Sequence, residues 1–141
     1  MTRASLLALL GFVALTSIAG GAVMAASALG TERMGLPPEV LLPPDLLQGS
    51  VFDTYLVPGL LLSVVVGGLH LAGFILLMRH HRLAPFATAT AGYSVLIWIF
   101  VQMVFVPFSV LQSVYFAAGL AELGLLLLLL GLMGPVAGRN R

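Results

Sequence analysis

Apolar residues run almost unbroken through four stretches of this chain, and the polar positions inside them are few. The stretches cover residues 6–28, 55–78, 86–106 and 110–133, each bounded by charge, proline or both. A helix needs about 20 consecutive apolar residues to cross a hydrocarbon core. The pattern therefore predicts an all-α, four-transmembrane-helix bundle built as one membrane domain over 1–141. Residues 29–54 form its longest connection, which repeats itself as LPPEVL and LPPDLL across 36–47. Proline lacks an amide donor and restricts the residue before it, so two proline pairs exclude a continuous helix there. The leucines suit short turns lying at the interface, as a cap over the helix ends or as a plain linker.

Composition agrees with that pattern. Of 141 residues 60% are hydrophobic and 8% charged, where a soluble domain carries about 25% charged residues. The net charge of +1 gives no reason to expect a nucleic-acid partner. Without cysteine, thiol catalysis, iron–sulfur ligation and a cysteine zinc site are excluded. All six basic residues are arginine, a bias that suits a GC-rich bacterial genome.

The arginines also orient the chain. Arg3 precedes the first stretch, Arg79 and Arg82 separate the second from the third, and Arg139 and Arg141 follow the fourth. Four crossings put these on one side, which the positive-inside rule makes cytoplasmic. The expectation is a multi-pass protein of the bacterial cytoplasmic (inner) membrane with both termini inside. The 29–54 connection then lies outside, with Arg33 against Glu32, Glu39, Asp45 and Asp53. The first stretch also resembles a signal peptide, with Arg3 ahead of it and ASA at 26–28 as a cleavage site. Its apolar run is longer than the 7–15 residues of a signal core, and Ser17, Gly21 and Ala25 offer a close-packing face, so a retained helix is expected. Ala117, Gly124 and Gly131 offer a second seam, within the chain or between copies.

Depth within each helix follows from a rise of about 1.5 Å per residue. Counted from the outer ends, His70, Glu122, Tyr93, Ser94, Thr16 and Ser17 fall into one polar layer near mid-membrane, with every helix contributing. Glu122 is the costliest residue, since an ionised acid at a helix centre costs roughly 2.5–3.5 kcal/mol to insert. It has to be neutral, paired or hydrated. His70 is its first candidate partner, offset by about 4.5 Å along the axis, provided that the second and fourth helices are neighbours. An interhelical hydrogen bond that fixes packing and a proton-carrying role are both open. Nearer the outer surface, Asp53, Tyr55, Gln102, Gln112 and Tyr115 form a polar ring beneath the proline-rich segment. It suits a small ligand or a lipid headgroup, or simply the display of any interfacial helix end. His80 and His81, between arginines, lack a third metal ligand nearby.

No phosphate loop, zinc motif, nucleophile elbow or dinucleotide fingerprint occurs. A four-helix haem protein would need paired axial histidines. No cofactor, metal site or catalytic residue is therefore expected. Three patches, FDTYLVPGLLL (52–62), WIFVQ (98–102) and LQSVYFAAG (111–119), resemble in order and spacing a group of uncharacterised small four-helix bacterial membrane proteins. The chain departs from that pattern at Ser113, where proline is expected. The resemblance implies a four-helix bundle and supplies no activity.

Two functional readings remain. The first is a non-enzymatic accessory or interaction subunit, binding another membrane protein or lipid. The alternative is a small oligomeric proton-coupled transporter or channel using Glu122 and His70.

Overall fold

The computed structural model describes residues 1–29 and 54–132. The LPPEVL–LPPDLL repeat, Asp53 and the C-terminal residues from 133 onward lie outside them. Among the described residues the structure is all helical. Four helices are long and apolar enough to cross a membrane: α1 (Thr2–Ala28), α2 (Leu56–Met78), α3 (Ala84–Phe105) and α4 (Val110–Leu129).

The helix boundaries have local causes. Helix α2 begins with Tyr55 in the N-cap position, so Pro58 falls in the first turn, where no intrahelical partner exists for the missing donor. Helix α3 carries Pro85 at its start and ends at Val106, whose extended φ of −119° and ψ of 135° are imposed by Pro107 behind it. Helix α4 opens with a reciprocal capping box: Ser109 Oγ accepts from the Gln112 amide, and Gln112 Oε1 accepts from the Ser109 amide. Its leucine run predicts helix to 133, but the helix stops at Leu129. There Gly131 turns left-handed at φ 70°, its amide donating to Leu128 and that of Leu132 to Leu127, which closes the end as a Schellman motif.

The α2 terminus closes in the same way without glycine. His80 takes φ 52°, its amide donates to Leu77, and that of His81 donates to Leu76. His81 Nδ1 then accepts from the Leu83 amide at 3.2 Å. The two histidines are thus parts of a tight α2–α3 turn. A side chain in the left-handed region costs about 1–2 kcal/mol, so His80→Gly is expected to raise stability by about 1 kcal/mol in detergent unfolding. A decrease would show that the imidazole makes a contact worth more than the backbone strain.

Arg3 ties α1 to that same end. Its Nη2 donates to the carbonyls of Leu77 at 2.8 Å and Met78 at 3.2 Å, placing a cation on the negative pole of α2. This bond explains why α1 begins at Thr2 rather than at residue 6. It also fixes Arg3 beside the Arg79–Arg82 turn, so that one end of the bundle is basic.

Each helix packs against two neighbours, in the cyclic order α1–α2–α3–α4–α1. The α1–α2 pair is closest. A Cβ on Gly21 would strike the carbonyl of Gly59 and the side chain of Ser63, and one on Gly59 would lie 2.6 Å from the carbonyl of Gly21. Ser63 adds a hydrogen bond from its Oγ to the Ile18 carbonyl at 3.1 Å. Around this contact α2 widens into a π-helix over Leu61–Gly67. On the other side Gly92 and Gly119 bring α3 and α4 together. The Ala117–Gly124–Gly131 seam is not used among the described residues: Ala117 is exposed, and a Cβ on Gly124 or Gly131 would touch none of them within 4 Å.

The two close pairs do not meet evenly. Towards the basic end Leu6, Leu10, Leu77, Ala84, Ala91 and Leu126 form a closed core, and a second cluster of Val13, Val66, Val95, Ile99 and Ala118 lies above it. Helix α3 packs mainly on the Gly68–Met78 half of α2 and leaves Leu56–Leu60 almost uncontacted. The bundle is zipped at its basic end and parted at the other.

Candidate functional site

Two polar assemblies follow from this architecture. The first is at the bundle centre. His70 Nε2 lies 3.1 Å from Glu122 Oε2, and neither residue has any exposed surface. Helices α2 and α4 are not neighbours, contrary to the condition set above. They stand on a diagonal, and the two long side chains span the interior to meet. Along α2, His70 lies between Val66 and Leu77, and along α4, Glu122 lies between Ala118 and Leu126. The pair is therefore sandwiched by the two hydrophobic clusters.

The hydrogen bonds define its proton inventory. His70 Nδ1 is 2.7 Å from the Val66 carbonyl, which can only accept, so Nδ1 carries a proton. A hydrogen bond across the Nε2–Oε2 contact then requires one further proton, on either atom. Glu122 Oε1 is buried with no partner among the described residues, as are Ser17 Oγ and Thr88 Oγ1.

The rest of the predicted mid-membrane layer divides. Ser17 is 2% exposed and faces inward. Thr16 and Ser94 return their hydroxyls to their own helices, Thr16 to Phe12 at 2.7 Å and Ser94 to Ala91 at 2.7 Å. Tyr93, at 59% exposure, points away from the bundle. Height along a helix fixes a layer, but each residue also turns by about 100°, and Tyr93 is on the outer side of that turn. Thr88, fully buried, was missed by counting depth. Its inward position is legible instead from spacing, because Ala84, Thr88, Ala91 and Val95 repeat at four, three and four residues.

The second assembly occupies the parted half. Two clefts open there, of about 590 Å³ between α1, α3 and α4 and about 340 Å³ between α2 and α3. Trp98, Gln102, Tyr55, Met24 and Val106 line both and form the septum between them. Of the predicted outer ring, Tyr55, Gln102, Gln112 and Tyr115 all line the larger cleft, while Asp53 lies outside the described residues. The Tyr115 ring is held against Phe12 of α1, with centroids 6.1 Å apart and planes at 21°. Thr16 and Ser17 line the deep side of this cleft. Its described lining is aromatic, aliphatic and amide or hydroxyl in character, with no formal charge.

Among the described residues no group of three histidine, aspartate or glutamate side chains could hold a metal ion. No protein-family model, curated protein or solved structure matches the chain.

Proposed function

We propose that this chain is a non-enzymatic binding module of a bacterial cytoplasmic membrane, holding a membrane-resident partner, lipid or protein, in the parted half of its bundle. The observation that carries the reading is the asymmetry of packing. One half is a closed core clamped by Arg3, and the other opens two apolar clefts rimmed by amide and phenol groups. Concave, mostly apolar sites of 300–1,000 Å³ with a few placed polar groups are the usual form of a ligand site. The arginine asymmetry supports an orientation with the basic end cytoplasmic and the clefts in the outer leaflet.

Proton-coupled transport is the competing reading. It requires water to reach the His70–Glu122 pair, and the hydrophobic clusters on both sides of that pair speak for a packing role instead. The two readings part in native mass spectrometry of the protein purified in mild detergent, at neutral and acidic pH, beside Glu122→Gln. The binding module should carry its partner at a fixed ratio at either pH and with either residue at 122. Loss of the bound species with Glu122→Gln, or its release on acidification, would favour proton coupling.

A further inference from the structure

We propose that two copies of this chain pair in parallel through the outward face of α3, with their two Tyr93 phenols hydrogen-bonded to each other within the seam. The face is a ridge opposite the buried Thr88–Val95 side of the helix. Phe86, Tyr93 and Phe100 recur along it every seven residues, and Ile97 and Val104 do so beside them. All five are between 59% and 74% exposed. From Tyr93 to Val104 the steps alternate four, three and four, the a/d spacing of a left-handed helix pair.

Lipid covers apolar side chains without penalty, so the four apolar residues by themselves name no occupant. Tyr93 does. Tyrosine ordinarily sits in the interfacial belts, whereas Tyr93 lies nine residues from the start of α3 and twelve from its end. These are about 13 and 18 Å along the axis, farther in either direction than its side chain reaches. The hydroxyls next to it return to their own helix, Thr90 Oγ1 donating to Phe86 at 2.9 Å and Ser94 Oγ to Ala91 at 2.7 Å. A rigid phenol cannot fold back in that way. It has no hydrogen-bond partner among the described residues, which is costly in hydrocarbon.

A second copy supplies the partner by symmetry. The arginine asymmetry sets every copy the same way up, so a two-fold axis along the membrane normal brings α3 beside α3 in parallel. Identical residues then meet at identical depth. A phenol both donates and accepts, so one Tyr93 can bond the other, while Phe86, Ile97, Phe100 and Val104 pack in layers on either side. An unrelated helix would have to present a polar group at that one depth on an otherwise apolar face. None of the five residues lines the larger cleft, so pairing leaves that cleft open and holds or fails independently of what fills it.

The chain has no cysteine, and single-cysteine variants therefore report without background. The full-length protein would be reconstituted into vesicles at rising lipid-to-protein ratio and oxidised with copper phenanthroline. Phe86→Cys, Ile97→Cys, Phe100→Cys and Val104→Cys should each give a disulfide-linked dimer that persists on dilution. Met103→Cys and Leu120→Cys, at positions 52% and 51% exposed but off the seam, should give only the collisional product that dilution removes. Tyr93→Phe keeps the ring and loses the hydroxyl, and should raise the dimer dissociation constant about threefold in sedimentation equilibrium, the effect of one membrane hydrogen bond.

Equal cross-linking on and off the seam would overturn the proposal, since it describes random encounter in lipid. Cross-links at Ile97→Cys without those at Phe86→Cys and Val104→Cys would overturn the parallel arrangement in favour of copies that cross at one point. An unchanged or tighter dimer with Tyr93→Phe would overturn the phenol pair. No cross-link at any seam position, with a different protein bound at fixed ratio in the native mass spectrum, would overturn the second copy and assign the ridge to another membrane protein.

Discussion

His70→Leu is expected to destabilise the bundle by about 3–5 kcal/mol, the largest loss of any single polar substitution described here. The reason is what it leaves behind. Glu122 is fully buried, Oε2 has His70 as its partner, and Oε1 has none among the described residues. Without the imidazole neither oxygen is satisfied at a position buried between two hydrophobic clusters. Glu122→Leu should cost less, about 1–3 kcal/mol, because it strands only the neutral Nε2 of a ring still held through Nδ1 to Val66. Removing both partners strands nothing, and the double leucine variant should lie well below the sum of the singles. Glu122→Gln tests the proton count: its amide N–H can donate to Nε2 in the tautomer that Val66 enforces, so stability should stay within about 1 kcal/mol of the native protein. Unfolding in a detergent–dodecyl sulfate titration measures all four. Additive leucine variants would mean that the two side chains do not interact across the diagonal.

This pair also shows how far the sequence alone could be read. Four long apolar runs give four helices because no soluble arrangement satisfies them, and the positions of Pro58, Pro85 and Pro107 set their ends to within a few residues. Counting along each helix puts His70 and Glu122 at nearly equal depth. It says nothing about azimuth, which is why Tyr93 faces outward and Thr88 inward. The π-helix over Leu61–Gly67 has no local signal in LLSVVVG. It coincides with the close α1–α2 approach and the Ser63–Ile18 bond, a tertiary demand that one segment's composition does not encode. The rim residues Tyr55, Gln102, Gln112 and Tyr115 are legible as helix-end amphipaths, but that they share one cleft depends on the splaying of two helix pairs.

That splaying rests on glycine, and a graded alanine series should expose it. In a bilayer, helices associate through packing rather than hydrophobic burial, so the tightness of backbone approach carries much of the energy. At Gly59 an added Cβ meets backbone, with the carbonyl of Gly21 at 2.6 Å and the amide of Ala25 at 2.7 Å. Backbone cannot rotate away, so the helices must separate. Gly59→Ala is expected to cost about 3 kcal/mol, at or beyond the usual range for overpacking. At Gly119 the obstacles are side chains, Val95 Cγ1 at 2.7 Å and Leu96 Cδ2 at 3.0 Å, which can shift rotamer, and the loss should be about 1–2 kcal/mol. Gly124→Ala meets nothing within 4 Å among the described residues and should be neutral or stabilising by up to about 1 kcal/mol, the helix propensity gained over glycine. The same titration ranks the three. The order Gly59, Gly119, Gly124 follows from whether backbone, side chain or open space faces each position. A costly Gly124→Ala would indicate that this outward face is itself covered, by a second copy or a partner helix packed closely against α4.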